Sequence, residues 1–239
     1  MAKKELEYNG ARFAISYEIQ NPKAKPTCII LHGWGSNKNI MKQAFGNYLQ
    51  EYRHLYIDLP GFGASSNDIV LTTEDYAKII GKFLDTLGVS ADIALGHSFG
   101  GKVATLLGPK LLVLVASAGI VVEKSPTTKL KIKTFKLLKS LGLSSLRKYF
   151  VASDAKELKQ NMYETFKNVV DEDFSEKFRS FSNRALLFWG DKDTATPLAT
   201  AYEIEKLIKN ATLHVYGGDH YFFLQHAKEI ATIIKEHNV

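Results

Sequence analysis

The feature that most limits the folds open to this chain is an alternation of short apolar runs with segments of helical periodicity. Runs such as Thr27–Leu31 are short and continuous, which is typical of strands buried on both faces of a sheet. The segment that starts at a capping signal at Thr73 has acidic residues in its first turn and closes at Gly88, as helices do. Such alternation predicts an α/β fold with a mainly parallel sheet and helices on both faces.

The same patterns place the individual elements. Segments with a short apolar run or strict alternation are predicted strands: residues 12–19, 27–31, 54–59, 91–96, 110–118, 184–190 and 211–217. Segments with apolar residues at helical spacing are predicted helices: residues 40–52, 73–87, a short helix after Ser98 that Gly108 and Pro109 end early, and 223–236.

One stretch departs from the alternation. Residues 123–182 show helical periodicity and no convincing strand. We therefore divide the chain into a first core part (1–122), a helical insertion (123–182) and a second core part (183–239). At roughly 60 residues the insertion is too short to be trusted as an independent domain, so we expect a lid packed over one edge of the sheet.

The insertion also carries the charge imbalance of the chain. Eight basic and no acidic side chains lie between residues 124 and 150, whereas the net charge of the whole chain is +6. We favour a solvated helix face, and two alternatives stay open: attraction of anionic substrates, and contact with an acidic membrane through an amphipathic helix at Lys129–Leu141. The patch is small and has no accompanying motif, so we expect no nucleic-acid partner. The basic residues are Lys124, Lys129, Lys131, Lys133, Lys136, Lys139, Arg147 and Lys148.

Length and cysteine content limit the class of protein further. The 239 residues fit one domain, and the single cysteine, Cys28, excludes an intramolecular disulfide. Cys28 lies in an apolar run and is interpreted as a buried small hydrophobe. The first ten residues lack the apolar segment of a secretory signal, and the longest apolar run, residues 111–122, is too short for a membrane span. We expect a cytoplasmic protein, as a monomer or a homodimer.

A candidate nucleophile lies between a predicted strand and a predicted helix. Gly96-His97-Ser98-Phe99-Gly100 fits the pattern G-x-S-x-G. A sharp turn at this place forces the serine into a strained conformation and requires small neighbours. It also holds the hydroxyl clear of the sheet, at a helix N-terminus where the N–H of Phe99 can donate to a developing oxyanion. The alternative is a helix-capping serine beside a glycine-rich turn.

A serine hydroxyl needs a base and a group that orients that base. The loop after the strand at 184–190 contains Asp191 and Asp193, and the loop after the next strand contains His220. Ser98, Asp193 and His220 would all lie at the carboxyl ends of strands, where open α/β sheets place their active sites. Their order along the chain is the one expected when G-x-S-x-G is a nucleophile turn.

A second oxyanion donor is expected from the loop after an earlier strand. The strand that ends at Leu31 continues into His32-Gly33-Trp34-Gly35, and the backbone N–H of Trp34 is the candidate.

With these motifs the chain resembles the α/β-hydrolases over nearly its whole length. The matching motifs are LHGWGS, DLPGFGAS (residues 58–65), GHSFGG, WGDKDTATP and GGDH. The subgroup it most resembles is the small lidded serine carboxylesterases and related hydrolases of carbon–carbon bonds. The resemblance implies the triad Ser98, Asp193 and His220, with Asp191 the weaker alternative for the acid.

The resemblance also implies a mechanism: His220 takes the proton of Ser98, an acyl-enzyme forms, and no metal or other cofactor is needed. The expected substrate is a small-molecule ester with a small or short acyl group. The alternatives are hydrolysis of a carbon–carbon bond and a non-catalytic binding protein on the same scaffold. Candidate pocket residues are Trp34, His32, Tyr221 and Phe222, with a structural role favoured for His32 and also for His97.

Overall fold

The computed structural model describes residues 2–122 and 159–237. Within these residues, eight strands form one sheet in the order β1-β2-β4-β3-β5-β6-β7-β8. The pairs β1–β2 and β2–β4 are antiparallel and the other neighbours are parallel, which confirms the mainly parallel sheet. The strands are β1 (Ala2–Tyr8), β2 (Ala11–Gln20), β3 (Thr27–Leu31), β4 (Arg53–Ile57), β5 (Ile93–His97), β6 (Leu111–Val115), β7 (Arg184–Gly190) and β8 (Ala211–Tyr216).

Helices connect the parallel strands. Strands β3, β5 and β6 are buried along their whole length, so helices must cover both faces of the central sheet. The described helices are α1 (Lys38–Phe45), α2 (Thr73–Leu87), α3 (Phe99–Leu106), α4 (Gln160–Val169), α5 (Ser175–Ser180), α6 (Leu198–Leu207) and α7 (Phe223–Glu236). None of them is long and apolar enough to cross a membrane.

The helix ends show where local chemistry decides a boundary. The N-cap of α2 is Thr72, one residue before the predicted Thr73, because the Thr72 hydroxyl and the Asp75 carboxylate form a reciprocal capping box. Gly88 ends the helix in a left-handed conformation with φ of 62°, as predicted. Helix α3 has only eight residues, in agreement with the early end expected from Gly108 and Pro109.

One predicted helix was wrong in extent, and strand β1 and helix α6 were not predicted. The helix expected over residues 40–52 ends at Phe45, because the chain turns at Gly46 and Leu49 has a φ of 57°. Strand β1 was not predicted at all. It pairs with β2 through a turn at Asn9 and Gly10, which both have positive φ, as a tight hairpin requires.

Most of the expected lid lies outside the described residues, including Lys129–Leu141 and the eight basic side chains between residues 124 and 150. The described end of the 123–182 segment contains α4 and α5. The division at residues 122 and 183 stays a prediction.

Candidate active site

The candidate site lies at the edge of the sheet where parallel strands end. Strand β5 ends at His97, directly before Ser98. Strand β7 ends shortly before Asp193, and β8 ends four residues before His220. Because β5, β6, β7 and β8 are parallel neighbours, the loops that follow them meet on one side of the sheet.

Ser98 occupies a strained turn between β5 and α3. Its φ of 52° and ψ of −118° lie in a region that residues other than glycine rarely adopt, at a cost of about 1–3 kcal/mol. Hydrogen bonds hold the turn in place: the Ser98 N–H donates to the Val115 carbonyl at 3.1 Å, and the Ser98 carbonyl accepts from the N–H groups of Gly101 and Ala118. The neighbouring structure thereby holds the hydroxyl at the start of α3.

The glycines beside Ser98 are required by close approach of the backbone. A Cβ on Gly96 would lie 2.3 Å from the carbonyl oxygen of Gly100. A Cβ on Gly100 would lie 2.6 Å from the carbonyl oxygen of His32. Both contacts are with backbone atoms, which cannot rotate away, so the G-x-S-x-G pattern is a packing requirement of this turn.

The structure brings Asp193 and His220 into contact. The His220 Nδ1–H donates to Asp193 Oδ2 at 2.7 Å, which leaves Nε2 as the unprotonated nitrogen of the neutral ring. The other Asp193 oxygen accepts from the backbone N–H groups of Ala195 and Thr196, and the Thr196 hydroxyl donates to Oδ2 at 2.8 Å. Burial raises the pKa of Asp193, but the hydrogen bonds from His220 and Thr196 outweigh it and hold that pKa below its ordinary value.

Ser98 and His220 both line one cavity of about 260 Å³. In the described part of the chain, no hydrogen bond joins the Ser98 hydroxyl to His220. Such bonds are often long in ligand-free enzymes and shorten when substrate binds. The cavity is lined by Trp34, Ser98, Phe99, Lys102, Ala118, Phe166, Val169, Val170, Ala195, Thr196, His220 and Tyr221.

Of the four expected pocket residues, Trp34 and Tyr221 line this cavity and the other two lie in the interior. Phe222 is 2% exposed and packs against Tyr216 and Phe223. The His32 side chain is fully buried: its Nδ1–H donates to the Gly33 carbonyl, and its Nε2 accepts from the N–H of Leu59. These contacts place the side chains of Phe222 and His32 in the core instead of the pocket.

His97 is a second buried histidine and touches the candidate base. Its Nε2–H donates to the backbone carbonyl of His220 at 3.1 Å, and the two ring centroids lie 4.6 Å apart. Burial lowers the pKa of His97 to about 3 and that of His32 to about 4, so both rings stay neutral at neutral pH. His97 therefore holds the loop of His220 without adding charge to the site.

The residues expected to supply the oxyanion donors line the same cavity as Ser98. Phe99 is the first residue of α3, and the N–H groups of a first helical turn have no acceptor within the helix. Trp34 lies in a turn that the Ser36 N–H closes on the Gly33 carbonyl at 3.2 Å. The Trp34 ring packs edge-on against Phe99 with centroids 5.5 Å apart. The roles of both N–H groups stay predictions.

Two residues of the site escaped the sequence analysis. Thr196 supports Asp193 and follows it closely in WGDKDTATP, so the motif itself contained a signal. Lys102 lines the cavity, although a lysine in a helix is typical of an exposed surface. Within residues 2–122 and 159–237, no three His, Cys, Asp or Glu side chains cluster as a metal site would require.

Comparison with known proteins supports the α/β fold in which these residues lie. A family model described as the alpha/beta hydrolase fold matches residues 26–118. The uncharacterized hydrolase YugF of Bacillus subtilis is 24% identical, over 85% of this chain and 86% of that protein. The pimeloyl-[acyl-carrier protein] methyl ester esterase of Vibrio campbellii is 25% identical, over 80% and 86%. The 2-hydroxy-6-oxononadienedioate/2-hydroxy-6-oxononatrienedioate hydrolase of Burkholderia vietnamiensis is 26% identical, over 87% and 85%.

Solved structures agree on the fold. An esterase from Exiguobacterium antarcticum matches with a TM-score of 0.73 at 20% identity, over 94% of this chain and 95% of that one. An esterase from Thermogutta terrifontis matches with a TM-score of 0.74 at 16% identity, over 99% and 97%. The sheet order, the match of residues 26–118 and these structures together show that the chain has the α/β-hydrolase fold.

Proposed function

We propose that this α/β-hydrolase is a serine carboxylesterase that cleaves esters with small or short acyl groups through an acyl-enzyme. The observation that supports it most is the 2.7 Å hydrogen bond from His220 to Asp193, beside a cavity that Ser98 also lines. Four of the relatives are named as methyl ester esterases, which supports ester chemistry. The cavity of about 260 Å³ favours a small acyl group.

The chemistry follows the geometry of the three side chains. His220 Nε2 accepts the hydroxyl proton of Ser98 while Ser98 Oγ bonds to the ester carbon. The carbonyl oxygen becomes an oxyanion, which the N–H groups of Phe99 and Trp34 stabilise. As the acyl-enzyme forms, the carbon–oxygen bond to the alcohol breaks and His220 gives that oxygen the proton. Water then repeats the sequence in place of Ser98 and releases the acid. Asp193 holds the imidazole tautomer throughout.

Replacing the nucleophile tests this proposal. We expect the protein to hydrolyse p-nitrophenyl butyrate and Ser98→Ala to lose about 10⁴-fold or more in kcat. Ser180→Ala is the matched control, because Ser180 is an exposed serine at the end of α5. Labelling by a fluorophosphonate should follow the same pattern. Full activity of Ser98→Ala, or no labelling of the folded wild-type protein, contradicts the proposal and favours a non-catalytic binding protein.

A carbon–carbon bond hydrolase is the second candidate, because two of the relatives are named as hydrolases of an oxo-diene-diacid. The two reactions share the serine and the base but differ in the group that leaves. Comparing kcat/KM for the butyrate ester with kcat/KM for a 1,3-diketone of similar size separates them. We expect the ester to be the better substrate, and the reverse order assigns the carbon–carbon reaction.

A further inference from the structure

A buried lysine lies one helical turn after the nucleophile. Lys102 is on α3, four residues after Ser98, and its side chain is 1% exposed. It lines the same cavity as Ser98 and His220. A lysine is almost never this buried without a partner, so its hydrogen bonds decide what it does.

The partners of Lys102 account for part of its hydrogen-bonding capacity. Its ammonium donates to the Val169 carbonyl and to Glu172 Oε2, each at 2.7 Å. The ammonium has three N–H groups, and the described residues supply these two acceptors. The rings of Phe99 and Phe174 lie 5.7 Å and 5.3 Å from the nitrogen. Aromatic faces attract the charge but are poorer acceptors than an oxygen atom.

The charge balance decides which oxygen would suit this position. Glu172, which is 26% exposed, forms an ion pair with Lys102. Because the two charges are opposite, the pair has almost no net charge. A carboxylate from a ligand would bring a second anion to one cation, next to Glu172. The oxygen of a ketone or hydroxyl would accept the third hydrogen without that repulsion. Burial lowers the pKa of Lys102, whereas the hydrogen bond to Glu172 and its negative charge raise it. A further acceptor would also stabilise the ammonium form.

The position relative to Ser98 indicates which part of the substrate meets Lys102. In the acyl-enzyme the acyl carbon is bonded to Ser98 Oγ, at the start of α3. The two residues lie one turn apart on α3, about 5.4 Å along its axis, and both line the cavity of about 260 Å³. We therefore expect four or five carbon atoms of an acyl chain to join the two positions. The apolar walls formed by Trp34, Phe99 and Phe166 suit the carbons between the two ends.

We propose, on the basis of the proposed esterase function, that Lys102 binds a neutral oxygen on the substrate's acyl chain. The preferred substrates are then esters of oxo or hydroxy acids, with the oxygen near the fifth carbon. Unsubstituted acyl chains of equal size would leave the donor without an acceptor and would react more slowly.

Three p-nitrophenyl esters with acyl groups of equal heavy-atom number test this proposal: 5-oxohexanoyl, 5-methylhexanoyl and glutaryl. They present a ketone, a methyl group and a carboxylate at the same position. We expect the wild-type kcat/KM for the oxo ester to exceed that for the methyl ester by about tenfold, the range of a hydrogen bond from a charged donor. The glutaryl ester should lie below the oxo ester.

Lys102→Met removes the donor at similar length and should bring the ratio of oxo to methyl ester close to one. The double variant Lys102→Met/Glu172→Gln repeats the test without an unpaired carboxylate. Lys177→Met, which alters an exposed lysine paired with Glu74, should keep the wild-type ratio. Circular dichroism establishes that each variant is folded.

The outcomes separate the two proposals. Two results overturn the role of Lys102 and leave the esterase proposal intact. One is turnover of all three esters with equal kcat/KM for the oxo and methyl esters. The other is a preference for the oxo ester that persists in both Lys102 variants. A preference of the wild type for the glutaryl ester also overturns it, since it indicates a site for anions. These wild-type comparisons stand even if the variants do not fold. No turnover of any ester by folded protein contradicts the esterase itself.

Discussion

Two lysine–carboxylate pairs of this chain have the same chemistry but differ in what surrounds them. Lys38 and Asp58, called here the scaffold pair, lie 2.6 Å apart and are both at most 2% exposed. Lys102 and Glu172, the cavity pair, lie 2.7 Å apart, and Glu172 is 26% exposed. One pair is enclosed by protein on all sides, whereas the other borders the candidate active site.

The protein itself completes the hydrogen bonding of the scaffold pair. Besides the Lys38 ammonium, Asp58 accepts from the N–H groups of Lys38 and Ala64, at 2.8 Å and 3.0 Å. The Lys38 ammonium also donates to the Ser16 hydroxyl at 3.0 Å. These bonds join β2, the start of α1 and the loop of residues 58–65. In that loop, the Phe62 ring packs on Trp34 with centroids 4.7 Å apart, so the pair fixes one wall of the site.

The cavity pair leaves part of its hydrogen bonding to its surroundings. Lys102 has two acceptors among the described residues, and Glu172 also accepts from the Thr73 hydroxyl. Glu172 lines a second cavity of about 210 Å³, which shares four lining residues with the first: Ala118, Val170, Ala195 and Thr196. A buried pair that protein groups complete supports the fold, and one that borders a cavity is available to a ligand.

The largest expected effect comes from breaking the scaffold pair. Asp58→Asn leaves the Lys38 ammonium buried without its counter-charge, and we expect it to lower the free energy of unfolding by about 3–5 kcal/mol. Urea denaturation at neutral pH measures the loss. Glu74→Gln, which breaks the exposed pair with Lys177, is the control and should cost below about 1 kcal/mol. Equal losses in the two variants would show that burial does not distinguish them.

Part of the fold and of the candidate site could be predicted from the sequence, in contrast to these two pairs. The continuous strand β3 and the boundaries of α7 follow from apolar periodicity alone, and both were predicted correctly. Asp193 and His220 could be placed near one another because each follows a strand of a parallel sheet. Such rules depend on spacing along the chain, which the sequence contains.

The two lysine–carboxylate pairs depend on contacts that spacing does not reveal. Lys38 and Asp58 are 20 residues apart, and Lys102 and Glu172 are 70 residues apart. A lysine in a helix usually points to solvent, so only packing against β2 or α4 shows that these two are buried. The hairpin of β1 was missed for a different reason: its Asn9-Gly10 turn is a recognisable signal that composition at the N-terminus obscured.

A smaller effect should follow from changing the cavity pair. Glu172→Gln keeps an oxygen that can accept from Lys102 but removes the negative charge. Because Glu172 is partly exposed, we expect a loss of about 1–2 kcal/mol in the free energy of unfolding, less than for Asp58→Asn. The ammonium is then uncompensated, so kcat/KM for the glutaryl ester should rise about tenfold relative to the oxo ester. An unchanged ratio would mean that Glu172 does not set the charge preference of the pocket.

The smallest effect is expected at acid pH, where protonation of Asp58 should weaken the scaffold pair and lower the stability of the protein. Burial raises the pKa of Asp58, but the N–H groups of Ala64 and Lys38 and the Lys38 ammonium together hold it below its ordinary value of 3.8. In the unfolded chain Asp58 takes up its proton at higher pH than in the folded one. Its contribution to stability is therefore complete above the ordinary pKa and is lost as the pH falls toward the lower, folded value.

Between about pH 5 and pH 3, this proton uptake adds at most about 1.4 kcal/mol per pH unit to the loss of stability. Asp58→Asn cannot take up that proton, so its free energy of unfolding should fall less steeply with pH than that of the wild type. Ile29→Ala is the control, because it destabilises a fully buried position of β3 by about 2–5 kcal/mol without removing a carboxylate. It should keep the wild-type slope. If the free energy of unfolding of Asp58→Asn falls with pH as steeply as that of the wild type, then the pKa of Asp58 is not lowered in the folded protein. The scaffold pair is then held together by packing rather than by its charges.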